Sequence, residues 1–163
     1  MVAQLREIFI SVVFHLYDST RASACLDLFD SNCPTFFATE ERHEYAHFLS
    51  SDPSSYFVGL DGSSVVCAFG YSALSDEAPS LNWIMVDPAQ QRSGLGAAMM
   101  KQYTDYLLGN HKKYGSIATS QHAEQYFKSF GAERVGYLEN GWGAGMHRVE
   151  MRLPVVAQSR RPE

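Results

Sequence analysis

Two spacings in this chain could do chemistry. The first is Val86 to Gly96, VDPAQQRSGLG, set between the apolar run LNWIMV and the amphipathic run LGAAMMKQYTDYLL. A strand that passes through a glycine-bearing loop straight into a helix leaves backbone N–H groups without partners at the helix N-terminus, where the dipole favours negative charge. Such an end binds phosphate without needing many cationic side chains. The second is His43-Glu44-Tyr45-Ala46-His47, H-E-x-x-H on a predicted helix. That spacing puts two imidazoles on one face beside a glutamate base, as zinc hydrolases require. The motif stops there: Ser50 and Pro53 stand where its extended form has glycine and histidine, and the next glutamate is Glu77. The expectation is a polar helix face near the entrance to a site built elsewhere, with no metal.

The elements that must position the loop can be read from periodicity. A strand is expected over Glu7 to Leu16. A helix from Thr20 to Asp30 follows, capped by Asp18 or Ser19 and broken by Asn32-Cys33-Pro34. Thr39 is expected to cap a second helix, Glu40 to Ser50, with Tyr45, Phe48 and Leu49 on its apolar face. The period then changes. YFVGL and SVVCAFGY flank Asp61-Gly62, a hairpin signal, and SLNWIMV continues as strand four. Leu95, Met99, Tyr103, Tyr106 and Leu107 form a helical stripe that Gly109-Asn110 ends. YGSIATS reads as a strand, and AEQYFKSF as a short helix ended by Gly131. ERVGYLE pairs with the alternating run Arg148 to Leu153 across the turn NGWGAG. The order β-α-α-β-β-β-α-β-α-β-β is a mixed α/β (α+β) arrangement, with residues 1–156 as one domain and 157–163 as a disordered tail.

Composition narrows the function classes. A chain of 163 residues with 45% hydrophobic content can bury one real core. Thirteen Lys and Arg against eighteen Asp and Glu give a net charge of -5, which excludes a basic footprint for nucleic acid and favours cationic partners. Cys25, Cys33 and Cys67 form no C-x-x-C pair, so they read as small buried apolar residues in a reducing, cytoplasmic setting. The apolar stretch Phe9 to Leu16 is interrupted by His15 and preceded by Glu7, unlike a secretory signal, and no run is long enough to span a membrane.

The loop QRSGLG has no G-K-[ST], and Met99 occupies the third glycine position of a dinucleotide fingerprint. It resembles instead the acetyl-CoA loop of the GNAT superfamily of N-acetyltransferases: a strand, V-x-P, then [RQ]-x-x-G-x-[GA] opening a helix. Val86, Pro88, Gln91, Gly94 and Gly96 match. SQHAEQYFKSFGA resembles the family's later segment, with Ala123, Phe127 and Gly131 at matching spacings and Ser120 where many members carry Asn. The likeness covers Tyr56 to Leu153. It implies a central, mostly antiparallel mixed sheet flanked by helices, in which strands four and five splay apart to hold the pantetheine arm of acetyl-CoA as co-substrate. Residues Trp83, Ile84, Met85 and Val86 would pair with that arm. Gln91, Arg92, Ser93, Gly94, Leu95, Gly96 and Ala97 would wrap the pyrophosphate, with Ser120 and Phe127 also at the cofactor. The implied reaction is direct acetyl transfer to a primary amine, a small cationic amine or a peptide, by positioning and proton removal. The resemblance also allows a homodimer.

The chain departs from the family where catalysis is concerned. Phe127 stands where many members place a tyrosine beside the sulfur, and Tyr126 next to it is expected to point a third of a turn away. Strand four offers Ser80, Leu81 and Asn82 in place of a glutamate. Asn82 could hold a water, and His122 offers an imidazole as a general base. Asn82, His122 and Tyr126 are therefore the candidate catalytic residues. A non-catalytic acyl-CoA-binding module is the alternative reading. Phe36, Phe37 and Trp142 fit either the core or an acceptor pocket.

Overall fold

The computed structural model describes residues 12–72, 76–91 and 93–156. Within them, strands β1 (Val13–Leu16), β2 (Tyr56–Asp61), β3 (Ser64–Tyr71), β4 (Ser80–Val86), β5 (Tyr114–Ser120), β6 (Glu133–Gly143) and β7 (Met146–Pro154) form one sheet in the order β1-β2-β3-β4-β5-β7-β6. Four helices accompany it: α1 (Ala22–Ser31), α2 (Glu41–Ser50), α3 (Leu95–Gly109) and α4 (Glu124–Lys128). Every strand pair is antiparallel except β4 with β5. This is the mixed, mostly antiparallel sheet expected from the sequence, in the expected order of elements. The expected first strand before Val12, and the tail at 157–163, lie outside the described residues.

Helices cover both faces. On one, Leu95, Met99, Tyr103 and Leu107 of α3 and Phe127 of α4 pack on Phe69, Ile117, Val149 and Met151. On the other, Cys25, Leu28 and Phe29 of α1 and Tyr45 and Leu49 of α2 pack on Tyr56, Val58, Ala68 and Met85. Side chains of a regular strand alternate between faces with period two. In β4 that period breaks: Leu81, Ile84 and Val86 belong to the α3 side, whereas Trp83 and Met85 belong to the α1–α2 side. The pairing shows why. Gly70 faces Asn82 and Ala68 faces Met85, so Trp83 and Ile84 together oppose Phe69 in a β-bulge. Trp83 takes φ +44, a strained value for a bulky residue. It is held there because Tyr56 donates its hydroxyl to the Trp83 carbonyl (2.8 Å) and in turn accepts from Tyr45 (2.8 Å).

Three local expectations change. Helix α2 is not capped by Thr39: its N-cap residue, Glu40, makes no side-chain capping bond, and the Glu41 carboxylate instead turns back to accept the Ala38 N–H at 2.7 Å. The amides a Thr39 side chain would cap are already taken, the Glu41 N–H by the Ala38 carbonyl (3.0 Å) and the Arg42 N–H by the Thr39 carbonyl (3.2 Å). Asp18 caps a short 3-10 turn, Ser19–Arg21, ahead of α1. The last hairpin turns at Ala144-Gly145, because β6 runs on through Asn140-Gly141-Trp142-Gly143 to the pair Gly143–Met146.

Candidate functional site

The parallel pair β4–β5 is zipped at one end and open at the other. Ser80 pairs with Ser116 and Leu81 with Ile117, and the Pro79 carbonyl takes the Ser116 N–H at 3.2 Å and the Tyr103 hydroxyl. Beyond Leu81 and Ile117 the bulge carries β4 away and no further ladder pair forms between the two strands. The gap is a cleft of about 720 Å³ that passes through the sheet. Its walls include Asn82, Trp83, Ile84, Met85 and Val86 of β4 and Ala118, Thr119 and Ser120 of β5. On the α3 side it is bordered by Gln91, Gly94, Leu95, Gly96, Ala97, His122, Tyr126 and Phe127. On the α1–α2 side it is bordered by Asn32, Phe36, Phe37 and Glu41, with Trp142 from the last hairpin.

Helix α3 aims its N-terminus at this gap. Gly94 is its N-cap residue with φ +87, a conformation that suits glycine. The first intrahelical bond runs from the Ala98 N–H to the Gly94 carbonyl (3.0 Å), so the N–H groups of Leu95, Gly96 and Ala97 precede helical pairing. Gly96 packs under Tyr126, whose hydroxyl would lie 2.5 Å from a Cβ built there. Helix α4 is fixed from the opposite direction. Arg134 of β6 clamps the buried Glu124 with two bonds (2.7 and 2.6 Å), holding that carboxyl below the usual range.

Two polar atoms in this region are buried without a hydrogen-bond partner among the described residues, Ser120 Oγ and the Tyr126 hydroxyl. Buried polar groups are nearly always paired, so orphans in a cleft mark places where a ligand completes the bonding. Burial raises the Tyr126 phenol well above its ordinary value, so it keeps its proton at neutral pH.

Most residues singled out in the sequence are brought together here. Asn82, Trp83, Ile84, Met85, Val86, Gln91, Gly94, Leu95, Gly96, Ala97, Ser120, His122, Tyr126 and Phe127 all border the cleft. Ser93 does not: its hydroxyl bonds the Gln90 carbonyl and its N–H closes a turn on the same oxygen (3.3 Å). The free N–H run therefore starts after Ser93. Arg92 lies outside the described residues. Tyr126 is not turned away from the cleft; a step of about 100° along a helix lets it and Phe127 border the same floor. Phe36, Phe37 and Trp142 are cleft walls, and Trp142 is fixed by donating its Nε1–H to the Thr119 carbonyl at 2.8 Å. His43, Glu44 and His47 are exposed and do not border the cleft, so that face of α2 is not its entrance. Among the described residues no three His, Cys, Asp or Glu side chains gather as a metal site. The cysteines make poor nucleophiles, because burial pushes the thiols up to about 11 for Cys25 and Cys33 and about 12 for Cys67.

Sequence reasoning missed Glu41. It looks like a solvated glutamate in the first turn of a helix, yet only 6% of it is exposed and it borders the cleft. Burial, opposed by the Ala38 bond and reinforced by Glu44 and Glu40, pushes its carboxyl up to about 7. No sequence signal marks it: Thr39 offers an ordinary cap, and Glu41 sits among polar neighbours.

Comparison with known proteins agrees with this architecture. Residues 27–154 match the family model described as an acetyltransferase (GNAT) domain. No curated protein sequence matches the chain. Among solved structures, the ribosomal-protein-S18-alanine N-acetyltransferase of Escherichia coli superposes with TM-score 0.71 at 16% identity, covering 93% of this chain and 99% of that one. Ard1 from Thermoplasma volcanium gives 0.75 at 14% identity over 91% and 100%. An aminoglycoside 6'-N-acetyltransferase complexed with coenzyme A gives 0.71 at 13% identity over 93% and 99%. At these identities the structures share the fold, and the family match carries the assignment: the chain belongs to the GNAT family of acetyltransferases.

Proposed function

We propose that the protein transfers the acetyl group of acetyl-CoA directly to a primary amine held in the β4–β5 cleft, with residues 1–156 acting as one catalytic unit. The observation that carries this reading is the juxtaposition of an opened parallel strand pair with the unpaired N–H groups of Leu95, Gly96 and Ala97. The residues present fit the co-substrate. The α3 N-terminus suits the pyrophosphate through N–H donors and dipole. The stretch of β4 from Trp83 to Val86, which makes no ladder pair with β5, suits the amides of a pantetheine arm. Ser120 Oγ is a buried hydroxyl in need of a partner.

Acetyl-CoA supplies an activated acyl group, and the chain supplies orientation and proton management. Residues Asn82 to Met85 line the place where the amine meets the thioester, and a β4 N–H left unpaired by the bulge can stabilise the charge developing on the carbonyl oxygen. Tyr126 retains its proton and is the donor in this cleft for the departing sulfur, in place of the tyrosine that Phe127 lacks. Asn82 can hold a water. His122 is exposed at the rim and serves better as a contact for the cofactor than as the base.

Thiol release from acetyl-CoA, followed over a panel of primary amines, tests the reading. Amine-dependent release with an N-acetylated product supports it. Tight acetyl-CoA binding with no turnover on any amine would favour the non-catalytic module.

A further inference from the structure

Among the described residues, Glu41 is the one buried side-chain carboxyl that borders the cleft. Its Oε2 takes the Ala38 N–H at 2.7 Å, and no cation pairs with it among the described residues. The titratable groups around it do not neutralise it. Glu40 and Glu44 on its own helix are acidic, and Cys33 in the preceding loop is held neutral. Arg42 is engaged by Asp30 of α1 at 2.7 Å, Arg148 of β7 lies over the Trp142 ring at 4.7 Å, and His122 stands on the α3 side of the cleft. A buried carboxylate without a counter-ion is costly.

The walls beside it are aromatic. Phe37 stacks on Trp83 at 6.1 Å, and Phe36 and Trp142 border the same end. The last hairpin closes over this end: a Cβ at Gly143 would lie 3.1 Å from the Ala38 Cβ and 3.3 Å from Glu40 Oε2. An acid set among ring faces is the environment that binds an alkylammonium, by charge pairing and cation–π attraction. The buried, unpartnered Ser120 Oγ in the same cleft is a second sign that a polar ligand completes it. The α3 N-terminus lies on the opposite side of the sheet, so the two partners would enter from opposite faces.

We propose that Glu41 is the counter-ion for the acceptor's ammonium group and takes the proton that must leave before transfer. The assignment rests on the acetyl-transfer reading above. The acceptor class is then a primary amine that arrives protonated, with an apolar or aromatic body next to its charge. One proton passes from the ammonium nitrogen to Glu41. The freed nitrogen forms its bond to the acetyl carbon as the carbon–sulfur bond breaks. The second proton leaves the nitrogen for solvent as the sulfur gains one from Tyr126; Tyr126 takes a proton back from solvent, and Glu41 returns its own to solvent. The net products are the N-acetyl amine, CoA thiol and one released proton.

Both tryptophans of the chain, Trp83 and Trp142, border this cleft, so tryptophan fluorescence, excited at wavelengths tyrosine does not absorb, reports on it. The probes are 2-phenylethylammonium and its neutral isostere 2-phenylethanol, titrated at pH 8 into wild type and Glu41→Gln, with acetyl-CoA titrated separately. The expected result is at least a tenfold preference for the ammonium in wild type, abolished in Glu41→Gln, while the acetyl-CoA affinity of the two proteins agrees within twofold. Glu41→Asp should restore part of the preference. Equal binding of the two probes to wild type, a preference that survives in Glu41→Gln, or binding of neither probe would overturn the assignment. If instead acetyl-CoA binds neither protein while the ammonium preference behaves as expected, the ammonium site stands and the acetyl-transfer reading fails.

Discussion

Placing a charge at the third residue of α3 separates fold from ligand. Ala97 is exposed, borders the cleft and sits where the free N–H groups end. Glutamate there is favourable to the helix, because the N-terminal dipole stabilises an acidic residue in the first turn by about 0.3–1 kcal/mol. For a protein of this size that raises the melting midpoint by roughly 1–3 °C. The same charge opposes a pyrophosphate at the helix end. Two unit charges at about 6 Å, with an effective dielectric near 60, repel the new carboxylate by about 2 kcal/mol in total, or about thirtyfold in affinity. Ala97→Glu should therefore melt slightly higher without ligand, yet bind acetyl-CoA about thirtyfold more weakly by calorimetric titration at low salt. The deficit should shrink as salt screens it. Ala97→Gln, without the charge, should stay within about threefold of wild type. Unchanged affinity in Ala97→Glu, in a protein that remains folded, would refute the placement of the pyrophosphate at α3.

Glu41→Gln should also change stability, in a direction set by linkage. The native carboxyl holds its proton to about pH 7 against an ordinary value of 4.5, so the native state binds more protons between those values and stability falls as pH rises through them. The glutamine variant lacks that fall. It should match wild type near pH 4.5 and exceed it at pH 8 by up to about 3 kcal/mol, read from denaturant unfolding at both pH values. Tyr126→Phe removes a buried hydroxyl that has no partner, so unfolding should show a loss of less than about 0.5 kcal/mol. Turnover with saturating amine should fall by about 10²-fold or more with the KM for acetyl-CoA little changed. Gly96→Ala should cost about 1–2 kcal/mol by overpacking against Tyr126; in the Tyr126→Phe background only part of that cost should vanish, because the 2.5 Å hydroxyl contact goes while the ring carbons at 3.0 and 3.1 Å stay, a coupling that a double-mutant cycle measures directly.

Local chemistry made much of this legible. The strand–loop–helix at Val86 to Ala97, the stripe from Leu95 to Leu107 and the Asp61-Gly62 hairpin are carried by period and turn residues, which are sequence-local. What stayed hidden depends on partners far along the chain. The bulge at Trp83 breaks the alternation of SLNWIMV, and it is held by Tyr56 and Tyr45 rather than by any residue of β4. Glu41 looks like a solvated first-turn acid because α2 carries several charged residues there. Its carboxyl turns back onto the Ala38 N–H, and the cleft it borders is completed by Trp142, about a hundred positions later. Ser93 fits a phosphate-loop pattern by spacing alone, whereas the turn on Gln90 had already used its donors. The H-E-x-x-H spelling shows the converse: helical spacing places His43 and His47 on one face, and that face is simply exposed.

The central claim is that acetyl-CoA occupies the β4–β5 gap with its pyrophosphate on α3. The most direct test is titration of acetyl-CoA into the ¹⁵N-labelled protein, following each backbone amide. The account requires the largest shifts at Leu95, Gly96 and Ala97, along Ile84 to Val86, and at the Trp83 and Trp142 indoles. Saturating acetyl-CoA that moved none of these amides, or only the exposed face of α2, would contradict it.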